Sequence, residues 1–331
     1  MKNNGYLIDS FRSIFGNFKR GFDLRYRIYR LKWVLYPKLL YISKFPLCLN
    51  VEVSSFCNLK CTMCYNNDVD FQKGVMDFDL YKKIIDEGSK YKLNSVKLSW
   101  RGEPLLNKNI VDMIKYAKDR GILEVFLNTN GLLLNDKLSE QLIDSGLDMI
   151  LFSVDGVTKE TYEKIRIGGN YDIMVNNIKK FLEIKKSKNK PLPHTRIYFT
   201  KTPENKHEVD LLFKKWNILV DEIFVNPALP LQLDHSTKSK LNFDIKERKF
   251  CSHLCRRLAI TWNGDMAICC IDWKPSIVLG NVKTDTIYSV WHGEELDRIR
   301  CLHRKKSLND IKMCKDCASF DSYVMNNEDY L

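Results

Sequence analysis

Eleven cysteines are spread unevenly through this 331-residue chain. Three of them fall in one short run, Cys57-Asn-Leu-Lys-Cys61-Thr-Met-Cys64. Thiolates at such spacing can wrap three corners of an iron–sulfur cube, which leaves one iron open to activate a small molecule. Structural zinc prefers four protein ligands, and a fourth is absent near this run. A second group comprises Cys251, Cys255, Cys269 and Cys270, followed by Cys314-Lys-Asp-Cys317. Four thiolates there could close a site completely. On spacing alone that site would suit zinc as well as an iron–sulfur cluster. Cys48 and Cys301 stand apart.

The elements around these runs are legible from periodicity. Leu47–Ser54 alternates as a strand, and further strand-like runs occur at Ser95–Ser99, Leu123–Asn128, Met149–Val154, Thr195–Thr200 and Glu222–Val225. Helical stretches are expected between them at 77–90, 107–120, 135–145, 158–186 and 204–217. Asp77, Asn107 and Asp136 are candidate N-caps, and Gly121 and Gly146 sit where helices should end. Strand–helix alternation argues for a parallel sheet with crossover helices, and six strands in this length fit a partial (β/α)6 TIM-like barrel. Such barrels carry their chemistry on loops after the strands, and Cys57 directly follows the first strand. Beyond a polar linker at 227–250 the alternation stops. Leu258–Thr261 and Met266–Ile271 flank Asn263-Gly264, a hairpin signal, and a helix is expected at about 285–300.

Composition narrows the class. The formal net charge is +12. Residues 1–46 hold ten lysines and arginines against two aspartates, a local +8. The plain reading of this basic, helical head is a solvated face; a peripheral membrane or other anionic contact is the alternative. No secretory signal is present, and Trp33–Val53 is too interrupted by lysines and prolines to span a bilayer. A cytoplasmic protein with reduced thiols is expected. A non-catalytic zinc-binding nucleic-acid adaptor would explain the charge and the cysteines, but not the barrel rhythm, so no nucleic-acid partner is expected.

With these residues in place, the chain resembles the radical S-adenosylmethionine (SAM) superfamily, whose signature is a C-x3-C-x2-C loop after the first barrel strand. Trp100-Arg-Gly-Glu-Pro104 is similar to the family's Gly-Gly-Glu-Pro motif. Asn128-Thr-Asn-Gly131, Ser153-Val-Asp155-Gly156 and Thr161–Arg166 follow in order. The resemblance implies that Cys57, Cys61 and Cys64 hold a [4Fe–4S] cluster. It implies SAM contacts from Met63, Glu103, Asn128, Ser153, Asp155 and Arg166. Of these, Glu103 would take the amino group and Arg166 the carboxylate. Reductive cleavage of SAM to a 5′-deoxyadenosyl radical that abstracts a substrate hydrogen is the implied chemistry. Two positions depart from the pattern: Arg101 replaces the first Gly of the motif, and Met63 stands where an aromatic residue is frequent.

The C-terminal cysteines resemble the SPASM/twitch extension of many such enzymes. That implies a small β-hairpin-plus-helix domain over 251–320, with one auxiliary [4Fe–4S] cluster on Cys251, Cys269, Cys314 and Cys317. Residues 321–331 would be a tail. Cys255 lies too close to Gly264 for the family spacing, and Cys270 is expected on the other face of its strand. Cys48, Cys255, Cys270 and Cys301 then remain as free thiols. The resemblance implies oxidation of a sugar, cyclitol or other small metabolite, with radical modification of a ribosomal peptide as the alternative. A flavodoxin or ferredoxin would supply the electron.

Overall fold

The protein is described here by a computed structural model covering residues 23–67, 70–228, 250–315 and 317. The first half of the basic head, most of the 227–250 linker and the 321–331 tail lie outside the described residues.

Six strands run parallel in chain order: β1 (Cys48–Val51), β3 (Ser95–Lys97), β4 (Glu124–Thr129), β5 (Met149–Ser153), β7 (His194–Lys201) and β8 (Glu222–Pro227). Crossover helices α2 (Phe78–Lys90), α3 (Ile110–Asp119), α4 (Asp136–Asp144) and α6 (Tyr171–Ser187) cover the outside, as does α7 (Val209–Trp216). The expected partial (β/α)6 barrel is therefore present. Strand alternation builds its two faces. Val96, Val125, Leu127, Ile150, Phe152, Ile197 and Phe199 are fully buried against the helices. Each such side chain contributes about 1.5–3 kcal/mol on burial. Between them Lys97, Phe126, Asn128, Ser153, Arg196 and Tyr198 stay partly accessible on the opposite, inner face.

Local chemistry adjusts several expected boundaries. Asp77 caps α2, accepting from Asp79 N at 2.8 Å and Leu80 N at 3.2 Å. Helix α3 starts at Ile110, because Asn107 is buried and its amide is committed to Val53 O and Met76 O. Asn135, not Asp136, caps α4 through Leu138 N at 2.9 Å. The long helix expected over 158–186 is broken. It becomes α5 (Lys159–Ile165), the short strand β6 (Arg166–Ile167) and α6. Gly168 causes the break with φ +86, a left-handed value open to glycine.

Helix α1 (Leu24–Lys38) is not merely a solvated face. Tyr29 is 1 % exposed, and its hydroxyl lies 3.4 Å from Glu124 Oε2 at the N-terminal end of β4. The helix plugs the floor of the barrel.

The C-terminal unit joins the same sheet. β9 (Arg257–Ile260) pairs parallel with β1 and antiparallel with β10 (Asp265–Ala267). Gly264 makes the hairpin turn at φ +98. A third strand, β11 (Val278–Asn281), extends the hairpin. It escaped the sequence reading because it is short and weakly apolar. The helix expected at 285–300 is two, α8 (Ile287–Trp291) and α9 (Glu294–Arg304), separated at Gly293. A last short helix, α10 (Lys312–Lys315), carries Cys314.

Candidate functional site

The three cysteines of the first run sit on the loop beyond β1. Cys61 lies in β2 (Lys60–Cys61), which pairs antiparallel with β6, so that Cys61 faces Arg166. Thr62 N donates to Ile165 O at 2.9 Å and Cys64 N to Cys61 O at 3.0 Å, which closes the loop. Cys61 and Met63 pack with Leu59 and Ile165, and Cys57 and Cys64 border this small apolar cluster. Burial pushes the Cys57 thiol up to about 11 and the Cys61 thiol up to about 12. Three thiols on one short loop around an apolar cluster are a donor set that would fit three corners of a cubane.

The motif residues surround this loop. Glu103 is 3 % exposed and accepts hydrogen bonds from Thr129 Oγ1 at 2.7 Å and Asn130 N at 2.9 Å. Burial raises its pKa. Asn130 Nδ2 in turn donates to Asn58 Oδ1 at 2.9 Å, tying the β4 loop to the cysteine loop. Asn128 Oδ1 is buried and has no hydrogen-bond partner among the described residues. Ser153 ends β5 on the inner face. Asp155 is turned inward instead: it accepts from Thr200 N at 2.7 Å and pairs with Arg166. Arg166 Nε is buried without a partner among the described residues. Sequence reading missed Asn58, Asn66 and Asn130. Asn66 Nδ2 bridges Ser55 O and Arg101 O at 3.1 and 2.9 Å, and the Asn130–Asn58 amides lock the loop. Polar residues just past strand ends were the available signal.

Arg101, the departure from the motif, has a clear role in packing. Its guanidinium forks onto Glu52 with both bonds at 2.5 Å and reaches Trp273 O at 3.0 Å. Gly102 is obligatory beside it, since a Cβ there would lie 2.4 Å from Phe56 O.

The second site forms around one apolar cavity. Cys251, Cys269, Cys314 and Cys317 all line it, together with His253 and His303. Burial pushes the Cys251 thiol up to about 12. Four converging thiols fit a closed cluster. Cys255 is fully buried at the foot of β9 and does not line the cavity. The expectation for Cys270 is corrected. β10 ends at Ala267, so alternation no longer separates Cys270 from Cys269, and both sulfurs lie within 4.8 Å of each other and of a His253 ring nitrogen. A hydrogen bond from Cys269, helped by the Arg257 and Lys97 cations, lowers the Cys270 thiol.

Comparison with known proteins agrees with this geometry. Residues 51–214 match the family described as Radical SAM superfamily, and residues 251–318 match the SPASM iron-sulfur cluster-binding domain. A tungsten-containing aldehyde ferredoxin oxidoreductase cofactor-modifying protein of Pyrococcus furiosus is 30% identical over 55% of this chain. The matched region is about half, 52%, of that relative's length. A probable GTP 3′,8-cyclase of Methanococcus maripaludis is 26% identical over 77% of this chain and 94% of its own. Among solved structures, BtrN in complex with AdoMet and 2-DOIA is 19% identical, with TM-score 0.55 over 83% of this chain and 94% of that one. Streptococcus suis SuiB bound to S-adenosylmethionine is 18% identical, with TM-score 0.63 over 89% and 79%. The cofactors are accordingly SAM and two [4Fe–4S] clusters. Among the described residues, no helix is long and apolar enough to cross a membrane. The chain belongs to the radical SAM superfamily and carries a SPASM-type auxiliary cluster domain.

Proposed function

We propose that this radical SAM enzyme is an oxidoreductase that dehydrogenates a small polar metabolite such as a sugar or cyclitol. Cys57, Cys61 and Cys64 hold the SAM-binding cluster in this reading, and Cys251, Cys269, Cys314 and Cys317 hold the auxiliary one. When bound and reduced, the first cluster supplies the electron that cleaves SAM to a 5′-deoxyadenosyl radical. Glu103 fixes the SAM amino group and Arg166 the carboxylate, each already aligned by its own-chain partners. Asn128 and Ser153 offer hydrogen bonds from the inner face. Asp155 holds Arg166 in place, and Met63 packs with Leu59, Cys61 and Ile165 in the cysteine loop.

The observation that carries the oxidative reading is the convergence of four thiols on one cavity. These four thiols would ligate every iron of a cluster held there, leaving no free corner for a substrate, and such a cluster would supply an acceptor for the second electron. The polar inner face supports a hydroxyl-rich substrate, and the resemblance to BtrN, whose structure holds 2-DOIA, points the same way. A flavodoxin or ferredoxin delivers the first electron in the cytoplasm.

A peptide substrate, as in SuiB bound to precursor peptide SuiA, remains the alternative from the sequence.

The test is product formation in deuterated water by Cys314→Ala and Cys317→Ala. Oxidation requires that both still release 5′-deoxyadenosine yet form no product. It also requires that the parent place no solvent deuterium at the reacting carbon. Deuterium there, lost on replacing one of Cys48, Cys255, Cys270 or Cys301, would establish epimerisation instead.

A further inference from the structure

Two side chains of the motif segment reach across to the auxiliary site. Trp100 Nε1 donates to Cys270 O at 2.6 Å, and Arg101 Nη1 donates to Trp273 O at 3.0 Å. Arg101 is itself immobilised by the buried fork onto Glu52, which also accepts from Trp262 N at 3.2 Å in the hairpin turn. Between the two anchored carbonyls, Ile271 N donates to Cys269 Sγ at 3.4 Å. The turn that follows Cys269 is thus gripped at both ends by the segment that precedes Glu103.

We propose that Trp100 and Arg101 are positioning residues that set the reduction potential of the auxiliary cluster. They do so by holding the turn so that the Ile271 N–H points at the Cys269 sulfur. This rests on the reading of Cys269 as a ligand of that cluster. A hydrogen bond to a ligating sulfur withdraws charge from it and favours the reduced cluster, and the potential rises. The cluster then accepts an electron from a substrate radical more readily. The departure of Arg101 from the Gly-Gly-Glu-Pro pattern acquires a reason: a glycine there could grip neither Glu52 nor the turn.

The experiment uses the full-length chain with Cys57, Cys61 and Cys64 replaced by alanine, so that only the auxiliary cluster is reconstituted. Its midpoint potential is measured by redox titration followed by electron paramagnetic resonance. Trp100→Phe keeps the ring and removes the donor. The expected result is unchanged iron content and a more negative midpoint. Poised at the parent's midpoint, the ratio of reduced to oxidised cluster should fall about tenfold, which corresponds to 59 mV for one electron. Arg101→Lys, which cannot fork onto Glu52, should shift it in the same direction. Trp291→Phe is the control: it removes another buried indole donor, bonded to Ser43 O at 2.8 Å away from the turn, and should leave the potential unmoved. Unshifted potentials in Trp100→Phe and Arg101→Lys, or an equal shift in Trp291→Phe, would overturn the proposal. So would loss of the iron from Trp100→Phe, since the brace would then build the site and not tune it. A parent that holds no iron would instead remove the ligand reading beneath the proposal.

Discussion

Cys61 faces Arg166 across the β2–β6 ladder, and the guanidinium Nη1 lies 3.9 Å from the Cys61 sulfur. The same guanidinium is paired with Asp155, whose other oxygen is fixed by Thr200 N at 2.7 Å. The cysteine loop, the end of β5 and the end of β7 are therefore one buried network. A residue expected to meet SAM also sits against the cluster loop.

Breaking one partner of a buried ion pair leaves an uncompensated charge and costs about 3–5 kcal/mol, whereas removing both is far milder. Arg166→Gln and Asp155→Asn should each lower the urea midpoint of the metal-free protein strongly. The double variant should recover much of that loss. Additive losses in this double-mutant cycle would show that the pair does not couple. SAM affinity should remain low in the double variant even where stability returns, because the carboxylate anchor is gone.

Gly102→Ala should disable the first site alone. The added Cβ would stand 2.4 Å from Phe56 O and 2.5 Å from Ser54 O, both backbone atoms that cannot swing away. Parent protein should bind about eight irons in two cubanes, and the variant about four. Eight irons with normal SAM cleavage in Gly102→Ala would mean that the loop tolerates the shift.

The barrel was legible because its strands and helices differ in apolar period, and because Cys57, Glu103 and Arg166 sit at fixed offsets beyond strand ends. Contacts made at long sequence range were not. Nothing local marks Glu52 as the partner of Arg101, or Trp100 as a donor to Cys270 O, 170 residues away. Nor does anything local mark Asp155 as the partner of Thr200 N and Arg166. Cys270 was misplaced for the converse reason, since alternation was carried past the true end of β10.

Acid should reveal a second ion pair. Burial alone would raise the Glu222 carboxyl, but the hydrogen bond from His194 and the Arg196 guanidinium outweigh it and hold it at about 2. A carboxylate depressed from about 4.3 stabilises the fold fully above that value and loses the contribution as pH falls towards 2. The shift corresponds to about 2–3 kcal/mol. Glu222→Gln should therefore differ from the parent by that much at pH 7, and the two stability curves should converge on acidification. Parallel curves between pH 5 and 2.5 would contradict the assignment.

Helix α1 has two faces with separable roles. Inward, Tyr29 reaches Glu124, and Trp33 stacks under Arg256 and Arg257 at 5.0 and 4.7 Å, so the helix seals both the barrel floor and the foot of β9. Outward, Leu24, Ile28, Leu31 and Leu35 recur at helical spacing and are 59, 44, 45 and 38 % exposed, beside the cations of the basic head. Tyr29→Ala should cost about 3–5 kcal/mol, the range for emptying a buried aromatic site, and Tyr29→Phe only about 1 kcal/mol for one hydrogen bond. Paired Ile28→Asp and Leu31→Asp should leave the thermal midpoint nearly unchanged, since those side chains touch little. If the head binds anionic surfaces, the same pair should abolish flotation of the full-length chain with vesicles rich in phosphatidylserine, because an apolar stripe and its flanking cations act together at a membrane interface. Equal flotation of parent and variant would restrict α1 to its inward face, and the +8 of the first 46 residues to solvation.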